Sequence, residues 1–81
     1  MNIREQVASA SRAELVELQR RAVAVLERVR AVRKYRLRSK VEDIEAEVAI
    51  ETLAHVEAAL RRRSNWYLKR RRFQLRIKYL R

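Results

Sequence analysis

The chemistry this sequence can offer is concentrated near its end. Residues 61–81 read RRRSNWYLKRRRFQLRIKYLR and hold 10 basic residues and no acidic one. Arg61, Arg62, Arg63, Lys69, Arg70, Arg71 and Arg72 crowd the first half of that stretch, and Arg76 and Lys78 follow. Arginine outnumbers lysine 17 to 4 in the whole chain. A guanidinium fork binds phosphate oxygens bidentately and is weakly hydrated, so such a run suits a phosphate backbone. With no acid inside 61–81 to balance them, these cations are read as a nucleic-acid contact. Trp66 and Tyr67 sit among them, with Phe73 close behind, and aromatic rings so placed can stack on exposed bases. The same rings also suit a core, closing a third face of a helical body, and that packing role is the preferred reading of the aromatics. Replacing Arg70, Arg71 and Arg72 with Gln is expected to abolish phosphate binding and leave helix content intact.

Catalysis has little to work with. His55 is the only histidine. It falls near an apolar helix face, close by helical angle to Val48 and Thr52, where a packed ring with one hydrogen bond is the ordinary outcome. Glu51, four residues earlier, can orient that ring, but a metal site needs more ligands than this pair. Gly, Pro and Cys are all absent. A glycine loop that cradles phosphates is therefore excluded, as are thiolate metal clusters and disulfides. The expectation is a non-enzymatic chain with no cofactor, no metal and no small-molecule substrate. Zinc fingers, RRM and KH modules lack their required cysteines or glycines, and no helix-turn-helix pattern is present, so weak sequence specificity is expected.

The elements that must carry these residues follow from pattern. Eighty-one residues fit one small domain, which buries only about 60% of its unfolded surface and gains from self-association or a partner. Residues 1–60 hold 11 basic and 10 acidic residues, so the net charge of +11 lies almost wholly in the last quarter. The chain thus divides into a balanced body, 1–60, and a basic aromatic arm, 61–81. The longest apolar run is Ala22 to Leu26, far short of a ~20-residue membrane span. Arg4 and Glu5 stand where an export signal needs apolar residues. The expected location is the cytoplasm or the inside of a particle assembled in the cell. A lipid surface is the weakest partner, because Lys69 and Arg70 interrupt the apolar stripe that would lie on it.

The body reads as all-α. Asn2 with Glu5, Ser11 with Glu14 and Ser39 with Glu42 have capping-box spacing. They predict a short helix over about 2–8 and long ones over about 12–37 and 40–63. In the first long helix Leu15, Leu18, Ala22, Val25, Val29 and Val32 recur at steps of three and four, a coiled-coil seam that Val16, Val23 and Leu26 widen. In the second, Val41, Ile44, Val48, Leu53, Val56, Ala59 and Leu60 form a similar arc. Arcs this broad exceed what one neighbour covers, so the arm, a second copy or a host assembly must cover the rest. Leu15, Leu18, Val25, Val29, Val32, Val48, Leu53, Val56 and Leu60 are the expected self-association or partner seam.

The short join near 37–40 predicts an antiparallel hairpin. That pairing sets the basic end of the first long helix (Arg28, Arg30, Arg33, Lys34, Arg36) beside the acidic start of the second (Glu42, Asp43, Glu45, Glu47, Glu51). Internal ion pairing is the preferred reading of this middle basic run. Without glycine, the turn at Arg36–Ser39 lacks a cheap left-handed residue. The arm fits a helix, with Trp66, Phe73, Ile77 and Leu80 on one face. It also fits a strand, with Phe73, Leu75, Ile77 and Tyr79 alternating. Helix is favoured. The fold class is therefore an antiparallel two-helix hairpin with a short N-terminal helix and a basic C-terminal third element. The expected function is phosphate-led nucleic-acid binding, DNA or RNA, by a homo-oligomer or a member of a larger assembly. The alternative is a structural or docking subunit of a virion or other nucleoprotein, or a protein inhibitor, held through broad apolar faces and the arm.

Overall fold

A computed structural model describes residues 2–32 and 36–81. Arg33, Lys34 and Tyr35, part of the expected basic helix end, lie outside the described residues. Four helices follow in order: α1 (Ile3–Ser9), α2 (Arg12–Val32), α3 (Lys40–Arg61) and α4 (Asn65–Leu80). No strand occurs among the described residues, so the strand alternative for the arm is overturned. Among the described residues no helix is long and apolar enough to cross a membrane.

Each start has its sequence cause. The Asn2 side chain accepts from the Glu5 amide at 2.9 Å, and the Ser11 hydroxyl accepts from the Glu14 amide at 3.2 Å. Ser39 and Glu42 form the reciprocal capping box, with bonds of 3.2 and 2.9 Å. These caps satisfy backbone donors that the first helical turn leaves orphaned. At the fourth helix start, Ser64 has cap geometry but no side-chain cap bond. Residues 36–39 are not helical, so the expected extension of the first long helix to 37 is not found. Arg36 and Arg38 instead turn toward the following helix, reaching Glu42 and Asp43 at 2.7 Å each.

α2 and α3 pack side by side as the hairpin, and α4 lies against both. The main core gathers Ala22, Leu26 and Val29 from α2, Ala46, Ala49, Ile50, Leu53 and Ala54 from α3, and Leu75 and Tyr79 from α4. A smaller cluster joins Val7 of α1, Leu15 and Val56, with Leu18 and Leu60 packed against it. Most of the expected intermolecular seam is therefore used inside the molecule: Leu15, Val29, Leu53 and Val56 are buried, and Leu18, Val25, Val32 and Leu60 are partly buried. Only Val48 of that set stands exposed.

The arc expected on α3 is rotated. Val41, Ile44, Val48 and Ala59 face outward, and Ala46, Ala49, Ala54 and Ala58 face inward. α3 has neighbours on several sides, since α1, α2 and α4 all contact it. Small side chains allow those close approaches, so hydrophobicity alone misplaces the buried face. The basic segment is likewise an integral layer of the fold. Leu75 and Tyr79 are nearly inaccessible, at 1% and 3%, and full burial of such a side chain stabilises by roughly 1.5–3 kcal/mol.

Candidate nucleic-acid interface

α4 is apolar on two opposite sides. Its inner side carries Leu68, Leu75 and Tyr79 into the core. Its outer side carries Trp66, Phe73 and Ile77, which are 68%, 63% and 41% exposed. The helical stripe expected over Trp66, Phe73, Ile77 and Leu80 thus exists, but three of its four members face out. The reading of Trp66 and Phe73 as core is overturned. The reason lies in the arginines that flank the inner side. Arg71 and Arg72 reach carboxylates on α3 only when Leu75 and Tyr79 point inward.

Those contacts form a ladder between α3 and α4. Arg72 grips Glu51 with two bonds, 2.7 and 2.6 Å. One turn along, Arg76 donates to Glu47 at 3.0 Å. The acids step back by four residues as the arginines step forward by four, which is the signature of antiparallel helices. On the other flank Arg71 grips Glu57 with bonds of 2.7 and 3.2 Å, and the Tyr67 hydroxyl donates to the same carboxylate at 3.1 Å. Glu57 is only 6% exposed, so a buried charge is paired and hydrogen-bonded as it must be. The Glu57 bond raises the Arg71 guanidinium above its ordinary value despite burial. Burial, reinforced by Glu57, pushes the Tyr67 phenol up. The Arg72 bond holds the Glu51 carboxyl below its usual range, against the opposing effect of burial. Glu47 likewise raises Arg76. His55 sits 2.9 Å from Glu51 and 3.4 Å from Arg72, as an oriented, half-covered ring.

This changes the standing of the sequence candidates. Arg71, Arg72 and Arg76 have internal carboxylate partners, contrary to the reading that no acid balances the arm. Tyr67 is partly buried and tied to Glu57, so it is not a free stacking ring. Arg61, Arg62, Arg63, Lys69, Arg70 and Lys78 are exposed, and among the described residues none is paired to a carboxylate. Arg70 lies over the Trp66 ring at 5.5 Å, and Lys78 over Tyr79 at 5.1 Å. The remaining surface is a run of unpaired cations at the α3–α4 turn, continued along α4 beside an exposed tryptophan. Phe73 and Ile77 extend it, and sequence reasoning did not single them out as surface residues. The signal was present in the matched four-residue steps of Glu47/Glu51 and Arg72/Arg76, which fix which side of α4 must face inward.

The middle basic run behaves as expected in part. Arg28 pairs with Glu45 and Arg36 with Glu42. Glu47 and Glu51 are taken instead by α4. Arg30 is exposed and unpaired among the described residues. Comparison with protein-family models, with curated proteins and with solved structures finds no match to this chain.

Proposed function

We propose that the protein is a non-enzymatic nucleic-acid-binding protein, working in the cytoplasm or inside a particle assembled in the cell. Its contact surface is the α3–α4 turn and the outer side of α4. The observation that carries this reading is the set of unpaired cations, Arg61, Arg62, Arg63, Lys69 and Arg70, beside a Trp66 that is 68% exposed. The α3 acids that α4 meets are already taken by Arg71, Arg72 and Arg76. The five cations are thus left to an external anion. Backbone phosphates bind the guanidinium forks, and bases that leave the stack lie on Trp66. Contacts to backbone phosphates carry no sequence information, so weak sequence specificity is expected.

The test is a titration against a mixed-sequence duplex and a single strand over a range of salt. Five phosphate contacts predict a log–log slope of about −4.5 on duplex DNA, at about 0.9 per contact. Replacing Arg61, Arg62, Arg63, Lys69 and Arg70 with Gln flattens that slope and leaves the circular dichroism unchanged. No binding at low salt overturns the reading. The Arg70–Arg72 triple change is the wrong probe, because Arg71 and Arg72 hold α4 to α3.

One observation favours the second reading, a subunit of a larger assembly. A further exposed apolar surface lies on α3, apart from the unpaired cations of α4.

A further inference from the structure

Four large apolar side chains stand exposed around the start of α3. Leu37 is 92% exposed, Val41 63%, Ile44 57% and Val48 54%. Val41, Ile44 and Val48 follow one another by three and four residues on α3, the spacing of a heptad seam, and Leu37 stands in the non-helical segment just before it. Beside them, α2 and α3 enclose an open apolar groove of about 340 Å³, floored by Leu18, Ala22, Val25 and Ala49. Ile44 and Val48 also line that groove, so stripe and groove form one continuous apolar surface. Small domains rarely leave such a contiguous apolar surface to water without an interaction to explain it.

We infer that this face binds a second copy of the chain, α3 against α3, antiparallel about a twofold axis near Glu42 and Asp43. With the axis there, Val41 of one copy meets Ile44 of the other. Lys40 and Glu47 lie seven residues apart on one flank of this stripe. The twofold brings Lys40 of each copy beside Glu47 of the other, a half-exposed carboxylate that also bonds Arg76 of its own chain, so the flank is self-complementary, as an isologous interface requires. Local charge points the same way. Chains of net charge +11 repel, and they can meet only where charge cancels. Around this face most cations are already tied to carboxylates: Arg20 and Arg21 to Glu17, Arg28 to Glu45 and Arg76 to Glu47. An anionic polymer is drawn instead to the unpaired cations of the α3–α4 turn and α4. The unpaired cations of α4 belong to a different helix, so each dimer presents two copies of them.

Sedimentation equilibrium of the full chain, from micromolar to millimolar concentration, tests this. The expected mass is twice the 9.8 kDa of the monomer. Ile44→Glu buries two carboxylates in the dimer and raises its dissociation constant about 100-fold or more. Lys40→Glu sets like charges together twice and raises it about tenfold. Neither change unfolds the monomer: Ile44 is already half in water, and an acid in the first turn of α3 suits the helix dipole. Circular dichroism of both variants should match the parent. The inference stands if both variants dissociate a dimer. A monomer throughout, a larger or open-ended assembly, or a dimer that either variant leaves intact overturns it.

Discussion

Arg62 holds a conformation that most residues avoid. Its backbone lies at φ 52°, ψ 50°, the left-handed region, at the C-terminal cap of α3. Its amide reaches the Ala58 and Ala59 carbonyls, and the Arg63 amide bonds Ala58 at 2.8 Å. This closes the helix in the manner usually left to glycine, at a cost of roughly 1–2 kcal/mol for a residue with a Cβ. Arg62→Gly should therefore stabilise the fold by about 1 kcal/mol, read as a higher urea midpoint at unchanged slope. The same change should weaken nucleic-acid binding, because it deletes one of the unpaired cations. Glu57 is the opposite case. Its buried carboxylate joins Tyr67 and Arg71 across the α3–α4 junction. Glu57→Gln keeps the shape but strips Arg71 of its charged partner, and should cost about 2 kcal/mol in urea unfolding, with Arg71 partly covered by the fold.

Among the elements, α4 is the one whose place depends on charge. Its docking combines two buried side chains, Leu75 and Tyr79, with the pairs to Glu47, Glu51 and Glu57. The Glu51 carboxyl is lowered in the folded state, chiefly by Arg72. A depressed acid contributes stability that is present above its unfolded value, near 4.3, and is lost as pH falls through the folded one. The melting temperature should therefore hold from pH 7 to about 5 and fall below that. Glu51→Gln should lower it at pH 7 and flatten the decline in acid. An identical pH profile in the variant would mean that the pair does not hold α4. Elements of this kind were legible in the sequence only in part. Caps marked the starts of three helices, since Asn2, Ser11 and Ser39 each accept from the amide three residues on, while the arm, with no side-chain cap bond at Ser64, was left open between helix and strand. The buried side of α3 was not legible, because Ala46, Ala49 and Ala54 are selected by close approach and carry a weak hydrophobic signal. The pairing of Arg72 and Arg76 was missed because their partners lie 21 and 29 residues away, and a local charge count cannot see them. The unbalanced cations at Arg61–Arg63, Lys69 and Arg70 were legible from the start; that Arg71, Arg72 and Arg76 part from them was not.

At the scale of the molecule, the charge is sorted into two regions. The described residues fill roughly a 38 × 23 × 18 Å body, small enough that every surface charge feels the others at low ionic strength. Ion pairs bind the α2–α3 turn and the α3–α4 junction, while the unpaired cations gather where α3 passes into α4 and along the outer side of α4. Added salt acts on these regions differently. The half-covered pairs of Arg71 and Arg72 are screened little, whereas repulsion among exposed cations is screened strongly. A chain of net charge +11 held together by partly buried pairs should thus gain stability as sodium chloride rises from low to physiological levels. The expected gain is about 5 °C in melting temperature, the shift that ~1 kcal/mol produces in a chain of this size. A fall over the same range would mean that the exposed pairs outweigh the repulsion. Sulfate at equal ionic strength should raise the melting temperature further, because a divalent oxyanion that binds the Arg61–Arg63 and Arg70 surface of the native state adds binding free energy to screening. Arg61→Gln, Arg62→Gln, Arg63→Gln and Arg70→Gln combined should remove that excess and leave the chloride response smaller, since the repulsion being relieved would largely be gone.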